Sequence, residues 1–157
     1  MVSKAVNSWK IKTEKAKARI KSKATDYVRR QVKTVYLAAL KVSPQWSGDY
    51  TFNWGIQTTG HPVTYNPMLK VNPWQKLQET KTMKHAGHPV AIEWATWDLD
   101  EALQTVKWNS NVAIVNKSPV APLIESGQVN LRPVNKIPGG AGVINYLNFK
   151  FKYLKKL

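Results

Sequence analysis

Ser43-Pro44-Gln45-Trp46-Ser47-Gly48-Asp49-Tyr50 divides the chain into two kinds of sequence. A proline ring disfavours helical geometry in the residue before it, so Ser43-Pro44 marks a helix end. Ser47-Gly48 then supplies a turn. Upstream, residues from Lys4 to Leu40 contain neither Gly nor Pro. Trp9, Thr13, Ala16, Ile20, Ala24, Tyr27, Gln31, Val35 and Ala38 recur there at three- and four-residue steps, which is one face of an α-helix. The bases Lys12, Lys15, Arg19, Lys23, Arg30 and Lys33 are expected on the opposite side. After Tyr27 the apolar stripe widens through Val28, Val32, Tyr36, Leu37 and Leu40, so the second half of the helix should be packed and the first half should project. At about 1.5 Å per residue such a helix is roughly 54 Å long, more than a small domain is wide. Downstream, Tyr50, Phe52, Trp54 and Ile56 alternate, which predicts one strand, or a hairpin, between Trp46 and Thr59.

Further along, Pro62, Pro67, Pro73 and Pro89 with Gly60 and Gly87 predict an extended loop over about 60–97. Asp98-Leu99-Asp100-Glu101-Ala102-Leu103 reads as a helix start with acids in its first turn as caps and dipole complements, burying Leu99, Leu103 and Val106. Val112 to Val115 form a β-branched strand ending at Asn116, and Gly127 breaks the chain after Leu123-Ile124-Glu125. Residues 143–157 fit a helix through Val143, Leu147, Leu154 and Leu157, or a strand through Phe149, Phe151 and Tyr153. The expected architecture is α+β and single-domain over 1–157: a long basic N-terminal helix (1–41) packed on a small antiparallel β-sheet, with one or two further helices and the long Pro-rich loop.

Taken in order, these segments resemble the tail-completion (neck, head-tail joining) family of long-tailed bacteriophages. That family's pattern runs from a helix to Thr/Ser-Pro-x-x-Thr-Gly-x-Leu with a Trp or Ser soon after. A strand ending in Asn, a Tyr-Ala pair, a Glu-x-Gly and a Pro-x-Gly leading to a last helix follow. Ser43, Pro44, Ser47, Gly48, Tyr50, Asn53 and Trp54 fall on the first part; Asn116, Ala121, Glu125 and Gly127 on the second; Pro138 and Gly140 on the third. Ser47 stands where Thr is usual and Val120 where Tyr is usual. The resemblance implies a structural protein of the virion neck. It would assemble with itself as a cyclic ring of roughly six or twelve copies between the portal or head-adaptor protein and the tail terminator or tail tube protein. It also implies that 143–157 is a helix and that Asn116, Glu125 and Gly127 fix the fold rather than do chemistry.

Composition bounds the alternatives. With 43% hydrophobic residues, seven Trp, six Tyr and three Phe in 157 residues, the chain has the makings of one core. The absence of Cys excludes disulfides, thiolate metal sites and cysteine nucleophiles. The start, Met1-Val2-Ser3-Lys4, lacks the apolar run of a secretory signal, and no apolar stretch approaches the roughly 20 residues of a membrane span. The resemblance implies a location in the virion neck, and in the host cytoplasm during assembly. Residues 1–41 hold twelve of the 24 Lys and Arg but two of the nine acids, so they carry +10 of the net +15. Such a field points to an acidic or polyanionic partner.

Chemistry finds little to work with. His85-x-x-His88, with His61, falls short of a metal-ligand set. Asp49 with Glu79-x-Lys81 only loosely imitates a metal-dependent nuclease. Gly139-Gly140-Ala141-Gly142 lacks the Lys-Ser/Thr of a phosphate loop, and no Ser/His/Asp order is present. The chain is read as a non-enzyme without cofactors or metals. Candidate interface or DNA-channel residues are Trp9, Lys10, Lys12, Lys15, Arg19, Lys23, Arg30, Lys33 and Trp74, while Trp46, Trp54, Trp94, Trp97 and Trp108 are expected in the core. The competing reading is a basic protein gripping nucleic-acid phosphates with its helix; membrane action is disfavoured by the narrow, Ala-rich stripe.

Overall fold

The computed structural model describes residues 2–43, 49–65, 95–119, 121–126, 142–144, 147 and 151, with side chains from residue 6 onward except that of Asp49. Helix α1 (Val2–Val42) is unbroken. It is followed by the short helix α2 (Asp49–Phe52), strand β1 (Trp54–Thr58), helix α3 (Leu99–Gln104), strand β2 (Val112–Asn116) and helix α4 (Ala121–Glu125). The molecule is α+β, a long N-terminal helix packed on a small antiparallel sheet with further short helices. Pro44, Ser47 and Gly48, most of the Pro-rich loop, and Gly127, Pro138 and Gly140 lie outside the described residues, as do Trp46, Trp74, Trp94, His85, His88, Glu79 and Lys81.

β1 and β2 pair in a register running from Trp54 opposite Asn116 to Thr58 opposite Val112. Trp54, Ile56 and Thr58 turn into the core, the period-two signature of a strand with one buried face. Two strands alone are marginal in water. The sheet is held because α1 lies against β1 and α3, with Tyr36, Ala39 and Leu40 joining Trp54, Ile56 and Leu103 in one apolar cluster. At the end of β1 the chain reverses through Gly60, at φ 83°, and His61 pairs back to Thr58.

The aromatic run differs from its expected form. Tyr50 and Phe52 do not continue the strand; they belong to the single turn of α2. The physical reason is burial on every side. Tyr50, Thr51, Phe52, Asn53 and Trp54 are all buried, so the segment offers no solvent face for alternation to report. Leu99, Leu103 and Val106 are buried as the sequence indicates. Asp98 occupies the position before α3, but its side chain makes no capping hydrogen bond; Asp100 and Glu101 sit in the first turn. Of the last stretch, Val143, Ile144 and Leu147 have helical geometry, and Phe151 N–H donates to Leu147 O at 2.8 Å, the spacing of a helical turn.

Candidate functional site

Two features stand out: a polar junction that joins Ser43, Tyr50, Trp54, Asn116 and Glu125, and a projecting helix with distinct faces.

The junction begins at the end of α1. Ser43 is fully buried; its hydroxyl donates to Ala39 O at 2.7 Å and accepts the Trp54 indole N–H at 2.8 Å. Trp54 meets Tyr50 edge to face, ring centroids 5.5 Å apart. The Tyr50 hydroxyl donates to Glu125 Oε1. The same carboxylate accepts Val143 N–H at 3.3 Å and Ile144 N–H at 3.0 Å, so a side chain on α4 caps the start of the last helical stretch. Asn116 fastens β2 to α2. Its Nδ2 donates to Tyr50 O at 2.7 Å, while its Oδ1 accepts Ser118 N–H at 2.9 Å. Ala121 is buried at the start of α4 and bonds through its N–H to Ser118 O. Lys117 N–H donates to Asn53 O. Burial, reinforced by the hydrogen bond to and charge of Glu125, pushes the Tyr50 hydroxyl well above the usual tyrosine range.

Along α1 the faces separate. The side packed on the domain runs through Thr25, Val28, Arg29, Val32, Tyr36, Ala39 and Leu40. The Tyr36 hydroxyl donates to Ala95 O at 2.8 Å, with Trp54 O sharing it at 3.2 Å. Arg29 reaches the end of α3, donating to Gln104 O at 2.9 Å and Val106 O at 3.0 Å. The last turn of α3 holds no base of its own, so Arg29 supplies both the charge and the donors that a helix C-terminus favours. Thr25 Oγ1 accepts Trp108 N–H at 3.1 Å, and the Lys21 ammonium lies 6.0 Å from the Trp108 ring centre. Tyr36 was expected here as part of the stripe that widens after Tyr27, whereas Thr25 and Arg29 were not singled out in the sequence. Their signal is the 25, 29, 32, 36 spacing, which shares its period with the more conspicuous row from Trp9 to Ala38.

That row is a different face. At about 100° per residue it lies roughly a third of a turn from the domain-packed side. Val6, Trp9 and Ile20 are 55%, 71% and 67% exposed, and Tyr27 is 40% exposed. The basic row also departs from expectation: Lys12, Lys15, Arg19, Lys23 and Arg30 lie about 100° from the apolar row, as its flank rather than its opposite. All five are exposed, as is Lys10. Lys33 is turned toward the domain, paired with Asp100 at 3.1 Å. Lys23 and Arg30 border a shallow depression with Asp26 and Arg29. Trp97 and Trp108 are 66% and 48% exposed, so of the tryptophans expected in the core, Trp54 is the one shown buried among the described residues. Their segments lie at the domain surface, where a ring edge packs and the rest meets water.

Among the described residues no three His, Asp or Glu side chains come together as metal ligands, and no helix is long and apolar enough to cross a membrane. The chain matches no family model, no curated protein and no solved structure.

Proposed function

We propose that the chain is a structural subunit of a bacteriophage neck, forming a ring between the head's portal or adaptor side and the tail, around the channel through which DNA leaves. The observation that carries this reading is the buried junction. Ser43, Tyr50, Trp54, Asn116, Ala121 and Glu125, drawn from separate segments and joined by the family's motif order alone, meet in one connected polar and aromatic unit. Residues that share a motif for a common structural reason should converge in this way. The exposed half of α1 supplies a second requirement, a surface free to meet a different protein on the head or tail side of the ring.

Electron microscopy of the purified chain and of particles tests the reading. A ring with a channel near the width of duplex DNA, present in virions, is the expected result; a monomer absent from particles would defeat it. The exposed basic row favours one second reading, a free nucleic-acid-binding protein. That protein would bind duplex DNA as a monomer or dimer with affinity falling steeply with salt, whereas a neck subunit alone should bind it poorly.

A further inference from the structure

We infer that the projecting half of α1 is one strand of a heterotypic coiled coil whose partner is an acidic amphipathic helix of another protein. This inference stands on the helix alone and does not rest on the neck assignment. Val6, Thr13 and Ile20 repeat every seven residues, and Trp9 and Ala16 do the same three residues later. They make the narrow seam of a coiled coil rather than the broad stripe of a helix lying on a globule. The seam faces away from the domain, and Val6, Trp9, Ala16 and Ile20 are exposed. Nothing from the described domain covers it.

Charge selects the occupant. The four positions flanking the seam are Lys10 and Lys17 on one side and Lys12 and Arg19 on the other. In a coiled coil these positions sit opposite their counterparts on the partner, in parallel or antiparallel orientation alike, and set partner choice. A second copy of this helix would place Lys and Arg against Lys and Arg along the whole seam. The one acid nearby, Glu14, is engaged by Lys17 at 3.0 Å within the same helix. A helix with apolar seam residues and Glu or Asp beside them satisfies both the apolar row and its basic flanks. Nucleic acid would satisfy the bases and leave Trp9 and Ile20 uncovered.

The test uses the full chain and a fluorescently labelled acidic peptide of about four heptads, with Leu or Ile on the seam and Glu on both flanks. A control peptide of the same composition has its apolar residues shuffled off the seam. Expected in anisotropy titrations at physiological salt is binding of the first peptide, at least about tenfold tighter than the control. Trp9→Ala and Ile20→Ala should each weaken it by about tenfold. Ile11→Ala, at another exposed apolar residue, off the seam, should change it by less than about twofold. All three positions are exposed and Ala favours helix, so circular dichroism should be unchanged. Equal binding of the two peptides, no binding of either, or equal loss from Ile11→Ala would overturn the inference. So would self-association of the chain that Trp9→Ala abolishes, which assigns the seam to a second copy. Loss of duplex-DNA affinity in the seam variants, matching their loss for the peptide, would overturn it in favour of nucleic acid.

Discussion

Glu125 shows what one side chain can organise. Its two carboxylate oxygens collect a tyrosine hydroxyl from α2 and two backbone N–H groups from residues 143 and 144. Removing them leaves a buried phenol and the N–H of buried Val143 without partners, each costing more than the bond itself was worth, while the N–H of the exposed Ile144 turns to water. Glu125→Ala should therefore destabilise the fold by about 3 kcal/mol, and Glu125→Gln, which keeps an acceptor, by about half of that, read from denaturant midpoints. Gly142 is the companion position. Its φ of +100° disfavours any L side chain, and a Cβ there would stand 2.5 Å from Glu125 Oε2 and 3.0 Å from the Glu125 backbone. Gly142→Ala should cost about 2–3 kcal/mol in the same measurement, and combining it with Glu125→Ala should cost less than the sum, because both disturb one contact. Ser43, Asn116 and Glu125 were legible as a set through their order in the chain. Their partners were not, because hydrogen bonds between residues 50 and 125, or 50 and 116, leave no local periodicity to read.

At the scale of elements, the helix was the clearest feature of the sequence and its orientation the least clear. Absence of Gly and Pro up to residue 40 announces α1, and a proline after Ser43 announces its end. Two rows of helical period run along it, however, and period alone does not say which one the domain covers. The answer came from the rest of the fold: Val32, Tyr36 and Leu40 meet β1 and α3, whereas Trp9 and Ile20 extend past them. Stability should register the difference. Leu40→Ala, at a site with no solvent exposure, should cost about 2–5 kcal/mol, while Trp9→Ala should stay within about 0.5 kcal/mol, compared by chemical denaturation. Arg29 belongs to the covered face despite its charge. Arg29→Ala should cost about 1–3 kcal/mol, and Lys should restore little of it, because two carbonyls are met by two separate guanidinium nitrogens. The α2 turn was misread for a related reason. Aromatics two apart suggest a strand where one face is wet, and residues 50–54 have no wet face.

For the molecule as a whole, alkali is the informative stress. Burial, with Asp98 adding to it, raises the Tyr36 hydroxyl above the tyrosine range, as burial and Glu125 raise that of Tyr50. In the unfolded chain both would ionise near the ordinary value of 10.0. Below that pH both states hold these protons and the stabilisation is complete. Above it the unfolded chain releases two protons that the folded protein keeps, so stability falls by about 1.4 kcal/mol per pH unit for each tyrosine. Urea midpoints measured on either side of about pH 10 should show the decline, with Tyr50→Phe removing roughly half of the slope. The positive charge adds a second whole-molecule property: eight bases and one acid lie between residues 2 and 24, so approach to an anionic surface is steered by one end of the protein.

The continuity of α1 has a mechanical consequence. With no break from residue 2 to residue 42, the uncovered portion is a lever arm of roughly 33 Å pivoting on the joint formed by the contacts at Thr25 and Arg29. A rotation of about 10° at that joint sweeps the far tip through nearly 6 Å, about the height of one helical turn. Small adjustments in the seating of one subunit would thus be amplified into ångström-scale displacements of whatever its tip grips.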